Sequence, residues 1–360
     1  MKMRPIRFSK PTISLEKSDY QEIKRVILSG WVSIGINMEK LEAYFKSRFK
    51  VKHAIACSCC TQGLIVAMKA AGWRNKRIAV QPFTWPSTIY AIESNIGNTP
   101  VFCDINPETW LLDLNSLPAN SYDAVLAVDT FGNQANIKTA KPVIYDSAHG
   151  FDIKDLGHRG IAEVVSFSFT KVVSAAEGGI ILTNDNSLAE TARELRRLSC
   201  RMEEINAIIA LRSLKNYESN QKARIRIIEG YIKRFDFRYS TQRIPLCTNH
   251  SVFSILLNTQ WERDAIAHAL KKSAVEFKTY YEPLVTGLKN VDSVYSRILS
   301  LPTYPQIASL QDKICAVINT AVKGALLSKK VKHYSSIAPI PGKRYLKQSG
   351  YLDAYLRKQT

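Results

Sequence analysis

Two short apolar runs on either side of a lysine constrain the fold more than any other stretch. Residues 164–169 read Val-Val-Ser-Phe-Ser-Phe, residues 180–183 read Ile-Ile-Leu-Thr, and Lys171 lies between them. This pattern predicts strand, loop and strand, with the lysine held in the loop. A lysine between buried strands costs desolvation free energy unless it is neutralised, paired or used covalently. The covalent use is a Schiff base, which needs a lowered lysine pKa; the alternative is a solvated lysine at a strand end.

The residues around Lys171 suit an anionic, flat ligand. Ser166 and Ser168 precede the lysine and can donate hydroxyl hydrogen bonds to a phosphate, and the Gly178-Gly179 pair lets backbone come close to a ligand.

A second motif lies about twenty-five residues upstream. The apolar run at 143–145 ends in Asp146, and Ser, Ala, His149 and Gly follow, as expected at the carboxyl end of a parallel strand. An aspartate there can pair with the protonated ring nitrogen of pyridoxal phosphate, whereas the alternative is an ordinary helix N-cap. One strand–loop–strand step separates Asp146 from Lys171, which is enough to bring both to one cleft.

The two motifs together resemble the signature of the DegT/DnrJ/EryC1/StrS family, whose members are pyridoxal-phosphate aminotransferases of nucleotide-linked keto-sugars. The resemblance extends from about Ile6 to about Val322. It implies an α/β protein of the fold type I, aspartate aminotransferase-like class, with a large domain built on a mainly parallel sheet and a smaller C-terminal α/β domain. It also implies that Lys171 is the catalytic Schiff-base lysine and that Asp146, His149 and Ser166 contact the cofactor.

The junction of strand and helix at residues 54–64 is similar to the turn with which the family binds the cofactor phosphate. Cys59, Cys60 and Thr61 stand at the corresponding positions, and backbone N–H groups at a helix start can hold an anion. Cys60 replaces the usual glycine, which bears on how closely the phosphate can approach. The alternative is a helix packed through small residues.

Four further positions are assigned by the same resemblance. Trp85 stands where an aromatic ring stacks on the cofactor, although most tryptophans simply belong to the core. Ser33 lies in a segment at the substrate side of the cleft, and Tyr280 replaces a histidine near the sugar. Arg201 aligns with an arginine that reaches the partner subunit's site. The loop before it is shortened and Ser199 replaces an asparagine, so a solvated arginine at a helix start stays an alternative.

Charge and cysteine content indicate the cell compartment of the protein and the classes of molecule that it binds. The 360 residues include 50 Lys and Arg against 31 Asp and Glu, a formal charge of +19 that suits anionic ligands. The charge is not gathered beside a recognisable nucleic-acid motif, so nucleic acid is not expected. The seven cysteines are irregularly spaced, and the sequence shows neither a signal peptide nor an apolar run of membrane-spanning length, so we expect a cytoplasmic protein. We expect no metal site, because the sequence has no cluster of residues at metal-ligand spacing.

Strand patterns alternate with helical patterns along residues 1–235, which we assign to the large cofactor-binding domain with its N-terminal segment. A single long helix over 211–235 is predicted to connect it to a small domain at 236–322. Residues 323–360 form a basic tail with interleaved aromatic residues. It is either a strap packed on the body or partner, or a peripheral contact to an anionic membrane.

The resemblance implies transamination by a homodimer in the biosynthesis of surface glycans, such as lipopolysaccharide O-antigen, or of amino sugars. L-glutamate would give its amino group to the cofactor, which would then aminate a nucleotide-linked, 6-deoxy keto-sugar. Lys171 would move the proton. Two alternatives are a sugar dehydratase of the same family, whose members carry His in place of the lysine, and a non-catalytic basic binding protein on the same fold.

Overall fold

The structure is a computed structural model that describes residues 5–11 and 13–328. Its strands are β1 His53–Cys57, β2 Arg77–Val80, β3 Thr99–Phe102, β4 Ala124–Val128, β5 Val143–Ser147, β6 Ala162–Ser166, β7 Gly179–Thr183, β8 Ser240–Thr241, β9 Phe253–Leu256 and β10 Ile298–Leu301. Its α-helices are α1 Lys17–Ser29, α2 Ile36–Phe49, α3 Cys60–Ala70, α4 Pro86–Glu93, α5 Asn186–Ser199, α6 Glu204–Lys215, α7 Tyr217–Arg234, α8 Gln260–Lys272, α9 Lys289–Arg297 and α10 Gln311–Ser328.

The first seven strands form one sheet in the order β1-β7-β6-β5-β4-β2-β3. The pairs from β3 to β6 are parallel, whereas β7 is antiparallel to both β6 and β1, so six strands share one direction. A parallel neighbour can be reached only by a crossover connection. Helix α3 forms this crossover between β1 and β2 and α4 forms it between β2 and β3, whereas loops with at most a short 3₁₀ turn join β3, β4, β5 and β6. The predicted large, mainly parallel sheet is confirmed.

The strand register brings the predicted motifs to one edge of this sheet. Asp146 pairs with Val164, and Gly179 lies between Ser166 on one side and Cys57 on the other. The carboxyl ends of β1, β5 and β6 therefore meet at the start of β7. Ligands of open α/β sheets bind at such an edge.

Side chains alternate between the two faces of the sheet, as the pleat requires. Ile181 of β7 packs into the core covered by α3, α4 and α5, while its neighbours Ile180 and Leu182 pack into the opposite core with α2 and α6. With both faces covered, β4 to β7 are buried along their whole length. This burial explains the continuous apolar runs in the sequence.

Gly63 marks a close approach of α3 to the sheet. A Cβ atom at this position would lie 2.7 Å from Val164 Cγ1 and 2.9 Å from Cys57 Sγ. We expect Gly63→Ala to lower the free energy of unfolding by about 1–3 kcal/mol, because the extra methyl group overpacks the interface between α3 and the sheet. Urea unfolding followed by circular dichroism measures this free energy. Gly324→Ala on α10, where a Cβ would meet nothing within 4 Å, is the control and should raise the same quantity by about 0.5–1 kcal/mol. A loss of stability at both positions, or at neither, would contradict this account.

The three strands β10-β9-β8 form a second, antiparallel sheet. Its core includes Ile227 and Tyr231 of α7, together with Ile6, which forms a bridge with Val275. Both α7 and the N-terminal segment thus pack on the C-terminal sheet, although the sequence division had placed them with the large domain. This packing could not be predicted from the order of elements along the chain, because the residues in contact are far apart in sequence.

Two features of the predicted outline differ in the structure. The long helix expected over 211–235 is two helices, since α6 ends at Lys215 and α7 begins at Tyr217. The buried Tyr217 ring packs edge-to-face on Phe151 at 4.7 Å, which fixes the chain direction at the break. The predicted start of the tail at residue 323 falls inside α10, where Lys323 pairs with Asp236 at 2.6 Å. The tail from residue 329 onward lies outside the described residues.

None of the helices within residues 5–328 is both long and apolar enough to cross a membrane.

Candidate active site

Asp146 ends the apolar part of β5 with its carboxylate buried. Oδ2 accepts a hydrogen bond from the Thr88 hydroxyl at 2.7 Å, and Oδ1 accepts one from the Ala148 N–H at 3.1 Å. Burial raises the pKa of the carboxyl group above its ordinary value. No lysine, arginine or histidine pairs with it among the described residues. The Cys60 thiol is a third, weak donor at 4.0 Å from Oδ1. A buried carboxylate with neutral donors and no ion pair among the described residues favours a cationic partner that is supplied by a ligand.

Lys171 lies in the turn that follows β6. Its backbone N–H donates to Ser168 O at 2.9 Å, and the turn is closed where the Phe167 N–H donates to Gly178 O at 2.8 Å. The side chain is half-buried, and burial lowers the pKa of its amine. Such a lysine holds more of the unprotonated, nucleophilic amine than a surface lysine does. The structure therefore favours the reactive interpretation over a solvated lysine.

His149 joins these two motifs directly. Its Nε2 lies 2.9 Å from Lys171 Nζ and 3.2 Å from the Tyr281 hydroxyl, and its Nδ1 lies 2.7 Å from Ser251 Oγ. Burial and the positive charges of Lys171 and Arg224 hold the pKa of His149 well below its usual value, so the ring is neutral. The loop after β5 and the turn after β6 thus meet through one side-chain contact, as their spacing in the sequence predicted.

The turn between β1 and α3 leads directly into the first turn of a helix. Cys59 is the N-cap of α3, and its Sγ accepts a hydrogen bond from the Gln62 N–H at 3.5 Å. The first N–H groups of the helix, at Cys60 and Thr61, have no partner within the helix itself. β7 runs close beneath them, because a Cβ on Gly179 would lie 2.8 Å from Cys60 N. Ser166 ends β6 beside this turn, with its hydroxyl buried.

The Cys60 side chain does not cover those N–H groups. Its Sγ lies 3.7 Å from Val164 O and 4.0 Å from Asp146 Oδ1, under the helix start and toward the sheet. Burial, together with the charge of Asp146, raises the pKa of the thiol well above its usual value, so the thiol keeps its proton. A cysteine in place of the usual glycine is therefore accommodated below the turn.

Trp85 and Tyr280 form an aromatic wall near the mouth of this cluster. Trp85 is 46% exposed, which rules out the alternative of a core tryptophan. It contacts Tyr280 edge-to-face with the ring centroids 6.3 Å apart, and Tyr280 packs in the same way on Phe8 at 5.7 Å. Burial raises the pKa of Tyr280 to about 12, so its hydroxyl stays protonated near neutral pH.

Ser33 and Arg201 lie apart from the Lys171–His149 contact. They line a cavity of about 430 Å³ together with Ser58 and Glu203. The backbone closes this cavity through a bridge between Ser33 and Glu203 and a hydrogen bond from the Ser58 N–H to Cys200 O at 2.9 Å. Arg201 is exposed at the rim. Within one chain the structure does not bring Arg201 to the lysine, and both predicted roles of this arginine stay open.

A buried ion network supports the strand ends beneath the site. Arg159 pairs with Asp129 at 2.8 Å and also with Glu163, and all three side chains are at most 8% exposed. The Ser147 hydroxyl donates to Asp129 Oδ2 at 2.7 Å, which connects the network to the residue after Asp146. Asp129 is thus part of the scaffold.

The sequence analysis predicted no site role for three residues of the cluster: Thr88, Ser251 and Tyr281. The role of Thr88 could have been predicted, because a hydroxyl in the first turn of a helix that follows a buried strand points back to the sheet edge. Ser251 and Tyr281 are about one hundred residues or more from His149, and nothing in their local sequence indicates the contact. Cys59, Cys60, Thr61, Asp146, His149, Ser166 and Lys171 all lie along the predicted edge.

Comparison with known proteins shows which family this chain resembles. Residues 14–320 match the model of the DegT/DnrJ/EryC1/StrS aminotransferase family. The spore coat polysaccharide biosynthesis protein SpsC of Bacillus subtilis is 28% identical over an alignment that covers 88% of this chain and 97% of SpsC.

Solved structures share the fold at lower identity. DesI, crystallised in the presence of its TDP-sugar product, superposes with a TM-score of 0.81 at 24% identity, over 91% of this chain and 96% of DesI. The sugar aminotransferase Spr1654 of Streptococcus pneumoniae, so described provisionally and in its PMP form, gives 0.79 at 18% identity, over 91% of this chain and all of that one. These likenesses establish the fold.

Proposed function

Because the chain belongs to the DegT/DnrJ/EryC1/StrS aminotransferase family, we propose that it transfers the amino group of L-glutamate to a keto group of a nucleotide-linked 6-deoxy sugar. The enzyme is a sugar aminotransferase of fold type I, and its cofactor is pyridoxal 5′-phosphate. The observation that carries the proposal is the 2.9 Å contact between Lys171 Nζ and His149 Nε2 at the sheet edge where Asp146 ends. The name of SpsC and the sugar product of DesI support a glycan precursor as substrate.

The residues present fit this cofactor. Asp146 is a buried carboxylate with no described cationic partner, as a protonated ring nitrogen would require. The helix start at Cys60 and Thr61, capped by Cys59 and flanked by Ser166, has N–H groups without a partner inside the helix, which fits a phosphate. Lys171 has the lowered amine pKa that reaction with an aldehyde needs. Trp85 is exposed beside this space and can cover a ring face.

Each residue then has a defined task in the transfer. When bound, pyridoxal phosphate supplies the aldehyde that takes up the amino group and the ring that withdraws electrons from the substrate carbon. Asp146 would hold the proton on the ring nitrogen. Lys171 Nζ would take the proton from the carbon of glutamate that bears the amino group and release it within the same half of the reaction, and in the second half it would deliver a proton to the sugar carbon that receives the amino group. We propose that Tyr280, beside Trp85, contacts the sugar and that Ser33, in the cavity at Arg201, contacts a more distant part of the substrate.

The absorbance spectrum of the purified protein tests the proposal. We expect a band at the edge of the visible region after incubation with pyridoxal phosphate, and we expect L-glutamate to convert it to the spectrum of the aminated cofactor. D-glutamate is the control donor. A protein that binds no cofactor, or whose spectrum L-glutamate leaves unchanged, would overturn the assigned donor half-reaction. Nucleotide-linked keto-sugars that restore the original band then identify the acceptor.

Thr88 gives a test of the Asp146 environment. Thr88→Val keeps the side-chain shape but removes the hydroxyl that donates to Asp146 Oδ2 at 2.7 Å. A hydrogen bond to a charged group contributes about 1.5–3 kcal/mol, so we expect cofactor affinity to fall by about tenfold or more. Titration of the cofactor-free protein with pyridoxal phosphate measures it. Thr109→Val, at a buried threonine outside the site, is the control, and equal affinities for both variants would show that Thr88 has no such role.

A homodimer is part of the proposal. Large apolar side chains are gathered on α1 and the turn after it, with Ile27, Leu28 and Trp31 between 57% and 75% exposed. Such a surface is typical of a subunit interface. Leu28→Glu should therefore favour monomers in analytical ultracentrifugation. The control is Ile96→Glu, at a residue that is 67% exposed in the turn after α4.

Subunit mixing tests whether Arg201 serves the partner's site. Lys171→Met and Arg201→Ala chains are each expected to be weakly active. If Arg201 acts in trans, unfolding and refolding the two together gives mixed dimers in which one site has both residues intact. We expect activity that neither variant shows alone. Absence of this recovery in mixed dimers would assign Arg201 to its own chain or to solvent.

A further inference from the structure

Three groups surround the two ring nitrogens of His149, and two of them come from the part of the chain after α7. Ser251 Oγ lies 2.7 Å from Nδ1, while Lys171 Nζ and the Tyr281 hydroxyl lie 2.9 Å and 3.2 Å from Nε2. Ser251 precedes β9, and Tyr281 lies between α8 and α9. The histidine of the large sheet is thus held from the C-terminal side.

The partners at Nε2 indicate which nitrogen carries the proton. Burial raises the pKa of Tyr281 well above its usual value, so its hydroxyl keeps a proton to donate. Lys171 can donate an N–H in either protonation state. Two groups that can both donate favour Nε2 as the unprotonated acceptor. The one proton of the neutral ring would then lie on Nδ1, where Ser251 Oγ can accept it.

Ser251 is itself held in place by the backbone around it. Its N–H donates to Asn249 Oδ1 at 2.9 Å, and Asn249 Nδ2 donates back to His149 O at 2.5 Å and to Phe151 O at 2.7 Å. Gly132 leaves room for this amide, since a Cβ there would lie 1.9 Å from Asn249 Oδ1. The serine and the histidine are therefore connected both through side chains and through Asn249.

We propose that Ser251 and Tyr281 are positioning residues that hold His149 as its Nδ1-protonated tautomer, so that Nε2 accepts an N–H from Lys171. The amine's lone pair is then left for the reacting carbon. In the opposite tautomer the Nε2–H would donate to the lysine, occupying that lone pair and leaving the tyrosine hydroxyl without its acceptor. The proposal rests on the proposed role of Lys171 as the reactive amine.

Nitrogen-15 NMR of histidine-labelled, full-length protein freed of cofactor tests the tautomer without any turnover. We expect the His149 signals, assigned with His149→Gln, to show a protonated Nδ1 and an unprotonated Nε2. Ser251→Ala should shift the ring toward the Nε2-protonated form, and Ser251→Thr should restore the original pattern. The matched control is Ser254→Ala, whose buried hydroxyl bonds Ser300 at 2.7 Å instead. A protonated Nε2 in the wild-type protein, or no change in Ser251→Ala, would overturn the proposal.

The second readout is the reactivity of the Lys171 amine toward formaldehyde and cyanoborohydride, followed by peptide mass spectrometry. We expect Ser251→Ala to slow labelling of Lys171 by about fivefold, the factor that corresponds to the net free-energy contribution of one hydrogen bond. Ser254→Ala should label at the wild-type rate. If Ser251→Ala does not fold, Tyr281→Phe serves instead, because losing a donor at Nε2 should raise the Nε2-protonated population. Unchanged tautomer and labelling in Tyr281→Phe would then refute the proposal. Both readouts stay informative if L-glutamate proves to be the wrong donor.

Discussion

Lys171→Met is expected to lower the rate of transamination by a factor of about 10⁴ or more. In the proposed mechanism the side chain supplies both the nucleophilic amine and the group that moves the proton, and proton transfer alone contributes a factor of about 10²–10⁴ to the rate. Met preserves the length and most of the volume of the half-buried side chain, so the fold should be unaffected. Steady-state assays with glutamate and a nucleotide-linked keto-sugar measure the loss, and the band at the visible edge should disappear with it.

The control for Lys171→Met is Lys154→Met, which removes an exposed lysine from the loop after β5. We expect this variant to keep the wild-type rate and spectrum, so that loss of one positive charge near the site cannot account for the result. A Lys171→Met enzyme that retained the spectrum and turned over within tenfold of the wild type would show that another amine is used. The proposed mechanism would then be wrong.

Arg159→Met is expected to lower the free energy of unfolding by about 3–5 kcal/mol. Its guanidinium pairs with both Asp129 and Glu163, whose side chains are 0% exposed, and it lies 4.2 Å above the Tyr145 ring. Removing the cation leaves two buried carboxylates that repel each other and have lost their counter-ion. Urea unfolding at neutral pH measures the change.

Two comparisons make the Arg159 result specific. Arg77→Met removes an ion pair with Asp123 whose side chains are 50% and 31% exposed, and it should cost at most about 1 kcal/mol. Burial raises the pKa of Glu163 in the folded protein, so protonation of this carboxyl favours folding as the pH falls. The Arg159→Met variant should therefore recover stability between neutral and mildly acidic pH. Equal losses in Arg77→Met and Arg159→Met would contradict the burial argument.

Much of the large sheet could be predicted because both of its faces are covered. Strands such as β4 and β5 are buried throughout, so their sequences are continuous apolar runs that end in polar residues at the functional edge. The position of β7 between β1 and β6 could not be predicted in this way, since it depends on pairing between residues more than one hundred positions apart. The break at Asn216 was missed because both sides have helical periodicity.

The site was predictable where chemistry is concentrated in short motifs. Asp146, His149 and Lys171 each stand in a pattern that indicates a role, and the strand register brings them to one edge. Ser251 and Tyr281 are ordinary residues locally, and only the tertiary structure gives them their contacts. Thr88 is indicated only by its place in the first turn of α4, and the strand order brings it to Asp146. Sequence patterns therefore identified the groups proposed to react but not those that orient them.

The pairing of Ile6 with Val275 has a consequence for synthesis on the ribosome. Ile6 N–H donates to Ala274 O at 2.8 Å, and the Glu276 N–H donates back to Ile6 O at 2.8 Å. Ile6 must therefore wait until Ala274 and Glu276 have been made before it finds its partners, and Tyr281 emerges after them. A nascent chain can form much of the large sheet early, yet it cannot complete the surroundings of His149 until Tyr281 has left the ribosome. The order of synthesis thus separates formation of the sheet from completion of the site at its edge.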